Sequence, residues 1–396
     1  MASFRGTVAG ALGLLLACLV VSPVVLAQGG AQNGEWRHYG GDEGNTRYSP
    51  LDQINRDNFN DLELVWRMKT DNFGPTPEYN FESTPLMVDG VIYTTAGTRR
   101  AVVAADAGTG EYLWMHRIDE GERGAATPRR LSGRGLAYRD DGGTGQVIYV
   151  TPGYQLIALD AATGQRVASF GTDGVVDLMQ NMDQEIDPLA GEIGLHASPL
   201  VAGDTIVVGA AHVPGSAPRS MRNTKGYVRG FDADTGERRW IFHTIPQGDE
   251  YGNDTWEGDS WRYTGNTGVW GQMTIDPELG MAYLPVEMPT NDYYGGHRHG
   301  DNLFADSLVA VDIDSGELDA VFSIAGIKLV IPETLTNISP SSPFWNACGF
   351  QIGQNCQSNI PTGFEGLAGS SRRWVGRAWP CCPFRPAPPT VPTSRG

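Results

Sequence analysis

The sequence predicts an all-β chain folded as a β-propeller, and three observations predict it. A five-residue turn recurs four times, as Asp106-Ala-Gly-Thr-Gly110, Asp160-Ala-Ala-Thr-Gly164, Asp232-Ala-Asp-Thr-Gly236 and Asp312-Ile-Asp-Ser-Gly316. Each copy follows an apolar, β-branched run and precedes a second short strand. The composition agrees: 52 Gly, 25 Pro and 19% charged residues in 396, with no long amphipathic helical pattern after the N-terminus. A strand–turn–strand unit cannot bury its apolar face alone, so repeated units stack as blades. Within each turn the Asp can cap backbone N–H groups and the Gly can take a positive φ. Two copies place a tryptophan four residues after the Gly, Trp114 and Trp240. The others have Ala168 and Ala320, so the tryptophan is a packing preference.

Along the chain, residues 1–27 read as an export signal: Arg5, an uncharged run from Thr7 to Leu26, and small residues at Val25-Leu-Ala27. An uncleaved membrane anchor is the alternative, since the run approaches the ~18–20 residues that span a bilayer. A lipid-bearing Cys18 fits less well, because the apolar run continues beyond it. Strand candidates follow at Leu86–Tyr93, Gln146–Val150, Thr205–Gly209 and Met281–Leu284. The repeat's Asp positions are 54, 72 and 80 residues apart (160 − 106, 232 − 160, 312 − 232). A blade needs about 40–50 residues, so the longer intervals carry insertions. Phe73–Glu82, Asp177–His196 and Val213–Lys225 read as insertions placed to cover a central site.

The propeller portion spans 28–323. Residues 324–396 differ in character: six basic and two acidic residues (+4) against 23 and 44 before them (−21), and ten of the 25 prolines. This tail reads as a disordered Pro-rich extension, or as non-native sequence from a frame shift or aberrant gene end. The overall charge of −17 excludes a nucleic-acid partner, which would require a basic face. Cys348, Cys356, Cys381 and Cys382 all lie in the tail, so residues 28–347 rely on no disulfide.

The opening Trp36-Arg-His-Tyr-Gly-Gly-Asp-Glu-Gly-Asn-Thr-Arg-Tyr-Ser-Pro-Leu-Asp-Gln-Ile-Asn55 and Leu62-Glu-Leu-Val-Trp66 resemble the start of the pyrroloquinoline-quinone (PQQ)-dependent dehydrogenases. The resemblance continues through Glu82-Ser-Thr-Pro-Leu86, Gly133-Arg-Gly-Leu-Ala-Tyr138, Gly226-Tyr-Val-Arg-Gly-Phe-Asp232 and Leu308-Val-Ala-Val-Asp312, covering about residues 35–323. It implies an eight-bladed quinoprotein propeller, of which about four blades are present as an incomplete ring. It also implies PQQ in a central channel, with calcium or another divalent cation, and oxidation of sugars or alcohols in the periplasm. Electrons would pass to a respiratory quinone or cytochrome.

Residue by residue, the resemblance places Glu82 near the quinone, Arg134 on a quinone carboxylate, Thr151 as a hydroxyl donor and Trp270 as the stacking platform. A guanidinium suits bidentate carboxylate pairing and an indole suits stacking. The plain alternatives are a solvated carboxylate, a surface arginine, a strand-end hydroxyl and a blade-core tryptophan. Pro128 and Arg129 stand where the alcohol-oxidising branch has adjacent cysteines. That leans toward the sugar-oxidising branch, as does Asn291-Asp-Tyr-Tyr-Gly-Gly-His-Arg298. The calcium-ligand glutamate maps near His212 and the ligand asparagine near Met288, beside Glu287, so no metal residue is assigned. His297 and His299 read as solvated loop histidines. The resemblance's general base, an Asp in His-His-x-x-Trp-Asp-Tyr-Asp, has no counterpart; Phe322-Ser-Ile-Ala-Gly-Ile-Lys-Leu-Val330 follows the fourth turn instead. A base must reach the hydroxyl proton to assist oxidation, so poor turnover is expected. The competing class is a non-catalytic propeller scaffold of the outer-membrane assembly type. Four blades also leave two blade faces without neighbours, so exposed apolar surface is expected.

Overall fold

The computed structural model describes residues 30–323, apart from 71–72, 144, 214–218 and 292–293, together with the backbone of 328–330. The expected export signal, the four tail cysteines and the rest of the tail lie outside the described residues. Four antiparallel sheets follow one another. Blade 1 is β1 (Leu86–Val88), β2 (Val91–Ala96), β3 (Ala101–Asp106) and β4 (Tyr112–His116). A six-residue helix, α1 (Gly121–Ala126), leads to blade 2: β5 (Ala137–Arg139), β6 (Gln146–Val150), β7 (Gln155–Asp160) and β8 (Val175–Asp177). The pair β9 (Ile193–Gly194) and β12 (Ala211–His212) brackets the opening of blade 3, which is β10 (Leu200–Ala202), β11 (Thr205–Val208), β13 (Val228–Asp232) and β14 (Arg238–Phe242). Blade 4 is β15 (Thr274–Asp276), β16 (Met281–Val286), β17 (Ser307–Asp312) and β18 (Leu318–Ser323), and β19 (Lys328–Val330) adds a fifth strand to it. These four blades do not close a ring.

Every copy of the repeated turn leaves the third strand of its blade. The Asp carboxylate gathers the turn: Asp106 Oδ1 accepts the amides of Gly108 at 3.0 Å and Thr109 at 2.8 Å, and the Thr109 hydroxyl at 2.9 Å. Asp232 and Asp312 repeat this pattern on Asp234 with Thr235 and on Asp314 with Ser315, while Asp160 accepts the Thr163 amide and hydroxyl. The closing glycines all have φ of 70–72°. Burial opposes ionisation of Asp232, but Arg239 and the Thr235 amide and hydroxyl outweigh it and hold the carboxyl at about 2.

The tryptophans join blades. Trp114 of blade 1 donates to the Ala161 carbonyl in the blade 2 turn at 2.9 Å and lies where a Cβ on Gly164 would be. Trp240 of blade 3 does the same at Ile313 (2.8 Å) and Gly316 of blade 4, and Trp66 at Ala107 (3.0 Å) and Gly110 of blade 1. Between blades 2 and 3, where Ala168 replaces the indole, the chain is rearranged. After the turn, Arg166 makes an isolated bridge to Leu159, Gly171 and Thr172 bridge to Val175, and the fourth strand begins at Val175. Gly171 then donates to the Thr235 carbonyl at 2.7 Å, and Val176 fills the space over Gly236.

Three apolar layers lie between successive blades. The first joins Val102 and Ala104 to Val147 and Ile157. The second joins Ile148 and Leu156 to Ile206 and Phe231, and the third joins Val207 and Trp240 to Leu284 and Val309. The end faces are covered in part. Met68 and Phe73 cover blade 1, and on blade 4 Met281, Tyr283, Leu308 and Ala320 are buried. Exposed apolar side chains lie on the outer strand of blade 1, at Leu113 and Met115, and at Ile54, Phe59, Leu62, Leu64 and Val65. The strand expected over Leu86–Tyr93 is a hairpin. Asp89 and Gly90 both take positive φ (49° and 78°), the geometry of a two-residue type I′ turn.

Candidate functional site

Each blade begins with a short lead-in to its first strand, and the lead-ins converge. Glu82 lies four residues before β1, Arg134 three before β5, His196 four before β10 and Trp270 four before β15. Backbone bonds join them in order: the Thr84 amide donates to the Arg134 carbonyl at 2.9 Å, and the Arg134 amide to the His196 carbonyl at 2.7 Å. Ser198 Oγ then donates to Gln272 Oε1 at 2.9 Å. Close approach requires glycine beside Arg134. A Cβ on Gly133 would lie 2.8 Å from Arg100 Nε, and one on Gly135, at φ 138°, would lie 3.0 Å from the Thr84 carbonyl oxygen.

On this frame Arg134 Cζ sits 4.9 Å from the Trp270 ring centroid, a cation–π geometry. His196 stacks on the same indole, with centroids 5.9 Å apart and planes 10° apart. Glu82 approaches Arg134 Nε at 3.9 Å. Three of the four sequence-selected residues are therefore brought together. Thr151 is not in this group. Its buried hydroxyl donates to Glu120 Oε1 at 2.6 Å, and Arg100 separates the two places. Arg100 donates to the carbonyls of Val150 (2.7 Å) and Leu195 (2.6 Å), the residues before Thr151 and His196, and to those of Leu131 (3.2 Å) and Arg129 (2.9 Å). Of the expected covers, Phe73–Glu82 contributes Glu78, whose carboxylate accepts the Gly97 and Ser132 amides at 2.9 Å. Asp177–His196 carries His196 itself, and Val213–Lys225 lies partly outside the described residues.

Sequence reasoning missed His196, Arg100 and Gln272. A signal existed for the first: His196-Ala-Ser-Pro-Leu200 repeats the spacing of Glu82-Ser-Thr-Pro-Leu86.

The field of the site is positive. His196 is pushed down to about 3, first by burial and then by Arg129, Arg134 and Arg100, so its imidazole is neutral at physiological pH. Burial lowers Arg100 to about 10, which leaves it charged. The unfolded chain binds a proton at His196 below about pH 6.5, the folded chain only near pH 3. Stability therefore falls as pH drops through that window, by up to about 1.4 kcal/mol per pH unit for this group. Burial shifts His38 and His116 the same way. His196→Gln should flatten the slope of unfolding free energy between about pH 6.5 and about pH 4 without abolishing it. An unchanged slope in urea melts would contradict this account.

These residues fit a flat polyanion. Arg134 and the exposed part of Trp270 offer charge and a ring face, and the buried His196 Nδ1 and Gln272 Nε2 have no hydrogen-bond partner. The same residues do not form a cation site: among the described residues no three His, Cys, Asp or Glu side chains gather. His297 stands beside Tyr263 and Tyr294.

Comparison with known proteins agrees with the cofactor fit. Residues 36–324 match the PQQ glucose/ethanol/alcohol dehydrogenase β-propeller domain. The quinohemoprotein alcohol dehydrogenase ADH IIB of Pseudomonas putida is 33% identical over 329 residues, covering 77% of this chain and 43% of that protein. The dehydrogenase subunit of the quinone alcohol dehydrogenase of Gluconacetobacter polyoxogenes is 34% identical over 304 residues, 72% of this chain and 37% of that one. The solved quinohemoprotein alcohol dehydrogenase of Comamonas testosteroni superposes with a TM-score of 0.60 at 26% identity, covering 80% of this chain and 45% of that one. The chain thus spans about two fifths of the length of the curated relatives it matches. By its domain match, its blades and its relatives, the chain belongs to the PQQ-dependent glucose/ethanol/alcohol dehydrogenase β-propeller family.

Proposed function

We propose that this chain is an exported, periplasmic PQQ-binding propeller portion of a dehydrogenase that oxidises alcohol or sugar hydroxyl groups and hands electrons to a respiratory quinone or cytochrome. The observation that carries the reading is the Arg134 guanidinium over the face of Trp270, beside an imidazole kept neutral by burial and then by three arginines. Arg134 would pair with a quinone carboxylate, and Trp270 would carry the ring. Glu82 and Gln272 would hydrogen-bond its edge, with Thr151 contributing through the Glu120-anchored turn. Bound PQQ supplies a two-electron acceptor for an alcohol's carbon-bound hydrogen.

The alcohol and sugar branches are distinguished by Pro128-Arg129 and by the 291–298 segment, which favour the sugar side; the relatives named above favour alcohols. Calcium or another divalent cation, which the resemblance brings, is assigned no residue. Without the general-base segment, turnover is proposed to be impaired.

The test is a PQQ titration followed by tryptophan fluorescence. Saturable quenching is expected, lost in Trp270→Ala, with affinity about 10–100-fold weaker in Arg134→Ala, as removal of a charge-assisted pair implies. A scaffold of the outer-membrane assembly type would give no saturable response. Dye-linked oxidation of glucose or ethanol should stay near background even with quinone bound; turnover like that of a full-length relative would refute the impairment.

A further inference from the structure

The pair His212 and Glu287 takes no part in the contacts that build the quinone pocket, yet it is tied to the same segments. His212, at the end of β12, is 1% exposed, and its Nδ1 lies 3.1 Å from Glu287 Oε1. Its Nε2 is buried without a hydrogen-bond partner. A carboxylate only accepts, so Nδ1 carries the shared proton and Nε2 is left for another group. Glu287 Oε1 also accepts the amide of Gly268 at 3.3 Å, two residues before Trp270. His212 is in register with Ile193, three residues before His196, which stacks on Trp270. The imidazole rests against glycine backbone. A Cβ on Gly226 would lie 2.8 Å from His212 Cε1 and 2.5 Å from Gly268 Cα, so any larger residue there would push the ring away.

We propose that the His212–Glu287 pair occupies the place a divalent cation would need at this site, without replacing its charge: the chain binds the anionic quinone without calcium, and His212 Nε2 accepts a hydrogen bond from the bound ring system. The inference rests on the quinone-site reading above. A hard dication takes six to eight oxygen ligands, and an imidazole presents nitrogen, which suits softer metals. Glu287 already holds the His212 proton and the Gly268 amide, so its charge is committed. Asp306, whose amide bonds the Glu287 carbonyl, is no ready second ligand, because burial raises its carboxyl above the ordinary range. A buried Nε2 without a partner carries a desolvation cost that a ligand donor would relieve.

The experiment uses the full chain stripped with a chelator. PQQ is titrated by tryptophan fluorescence with and without calcium, and terbium is titrated alone by tryptophan-sensitised luminescence. Quinone affinity is expected to be the same within about twofold in the two conditions, with no saturable terbium signal. In His212→Gln the quinone should bind about tenfold more weakly regardless of calcium, as loss of one buried hydrogen bond implies. A melting temperature near that of the unsubstituted chain would show that this variant is folded. Saturable terbium luminescence in the unsubstituted chain, or quinone affinity that collapses on chelation, would overturn the proposal. If PQQ binds under neither condition, the quinone-site reading fails, while the terbium titration still decides whether a cation is held.

Discussion

Arg100→Met should be the most damaging single substitution in the chain, lowering stability by about 3–5 kcal/mol and the melting temperature by on the order of 10 °C. Arg100 is 2% exposed, and its guanidinium donates to four main-chain carbonyls, those of Arg129, Leu131, Val150 and Leu195. Methionine fills similar space but donates nothing. Each carbonyl left buried without a partner costs about 1–3 kcal/mol, and part of that sum is regained because burying a guanidinium is itself costly. The four acceptors immediately precede or flank Arg134, Thr151 and His196. The folded fraction of the variant should therefore lose quinone quenching as well as stability. Thermal melts of Arg100→Met and Arg100→Lys check this, with lysine recovering part of the loss because it has three donors but no planar fork. A methionine variant within about 1 kcal/mol of the parent would show that the carbonyls find other partners.

The repeated turn made the blades legible because it is local chemistry. An Asp, a hydroxyl residue and a Gly within five positions close the same hydrogen bonds wherever they occur, and the apolar β-branched run before each Asp became a third strand every time. Less legible were features set by neighbours. The Asp89-Gly90 hairpin hid inside what read as one apolar strand, although Asp-Gly between apolar runs is a strong turn signal. Ala168 gave notice that one blade seam lacks an indole, but not that residues 167–175 would fold back and let Gly171 take its place.

Glu82, Arg134 and Trp270 were legible through family resemblance, and the structure adds why they meet: each stands just ahead of the first strand of its blade, where the blades converge. His196 holds the equivalent place in blade 3 and carried the same Pro-Leu signal three residues on, yet a lone histidine attracts no attention without that spatial rule. Arg100 could not have been found. Nothing local distinguishes Arg99, which pairs with Asp119 at the surface, from Arg100, which is enclosed by four carbonyls. Only the assembled blades decide which of two adjacent arginines is buried.

The second large effect separates two tryptophans that sequence spacing makes look alike. Trp240 is 6% exposed, packs with Val207, Leu284 and Val309, and covers Gly316 while donating to the Ile313 carbonyl. Trp240→Ala removes a blade-seam indole and leaves a cavity between blades 3 and 4, so a loss of about 3–5 kcal/mol is expected. Trp270 is 37% exposed, and its ring meets Arg134 and His196. Trp270→Ala should cost stability far less, no more than about 1 kcal/mol, the range of exposed cation–π and stacking contacts. Chemical denaturation of the two variants beside the PQQ titration makes the comparison a crossed one. The seam variant should lose stability yet, wherever it remains folded, keep its quinone response; the site variant should keep stability and lose the response. If both variants fell together in both assays, Trp270 would be a packing residue like Trp240, and the ring platform would have to be sought elsewhere in the convergence of the four lead-ins.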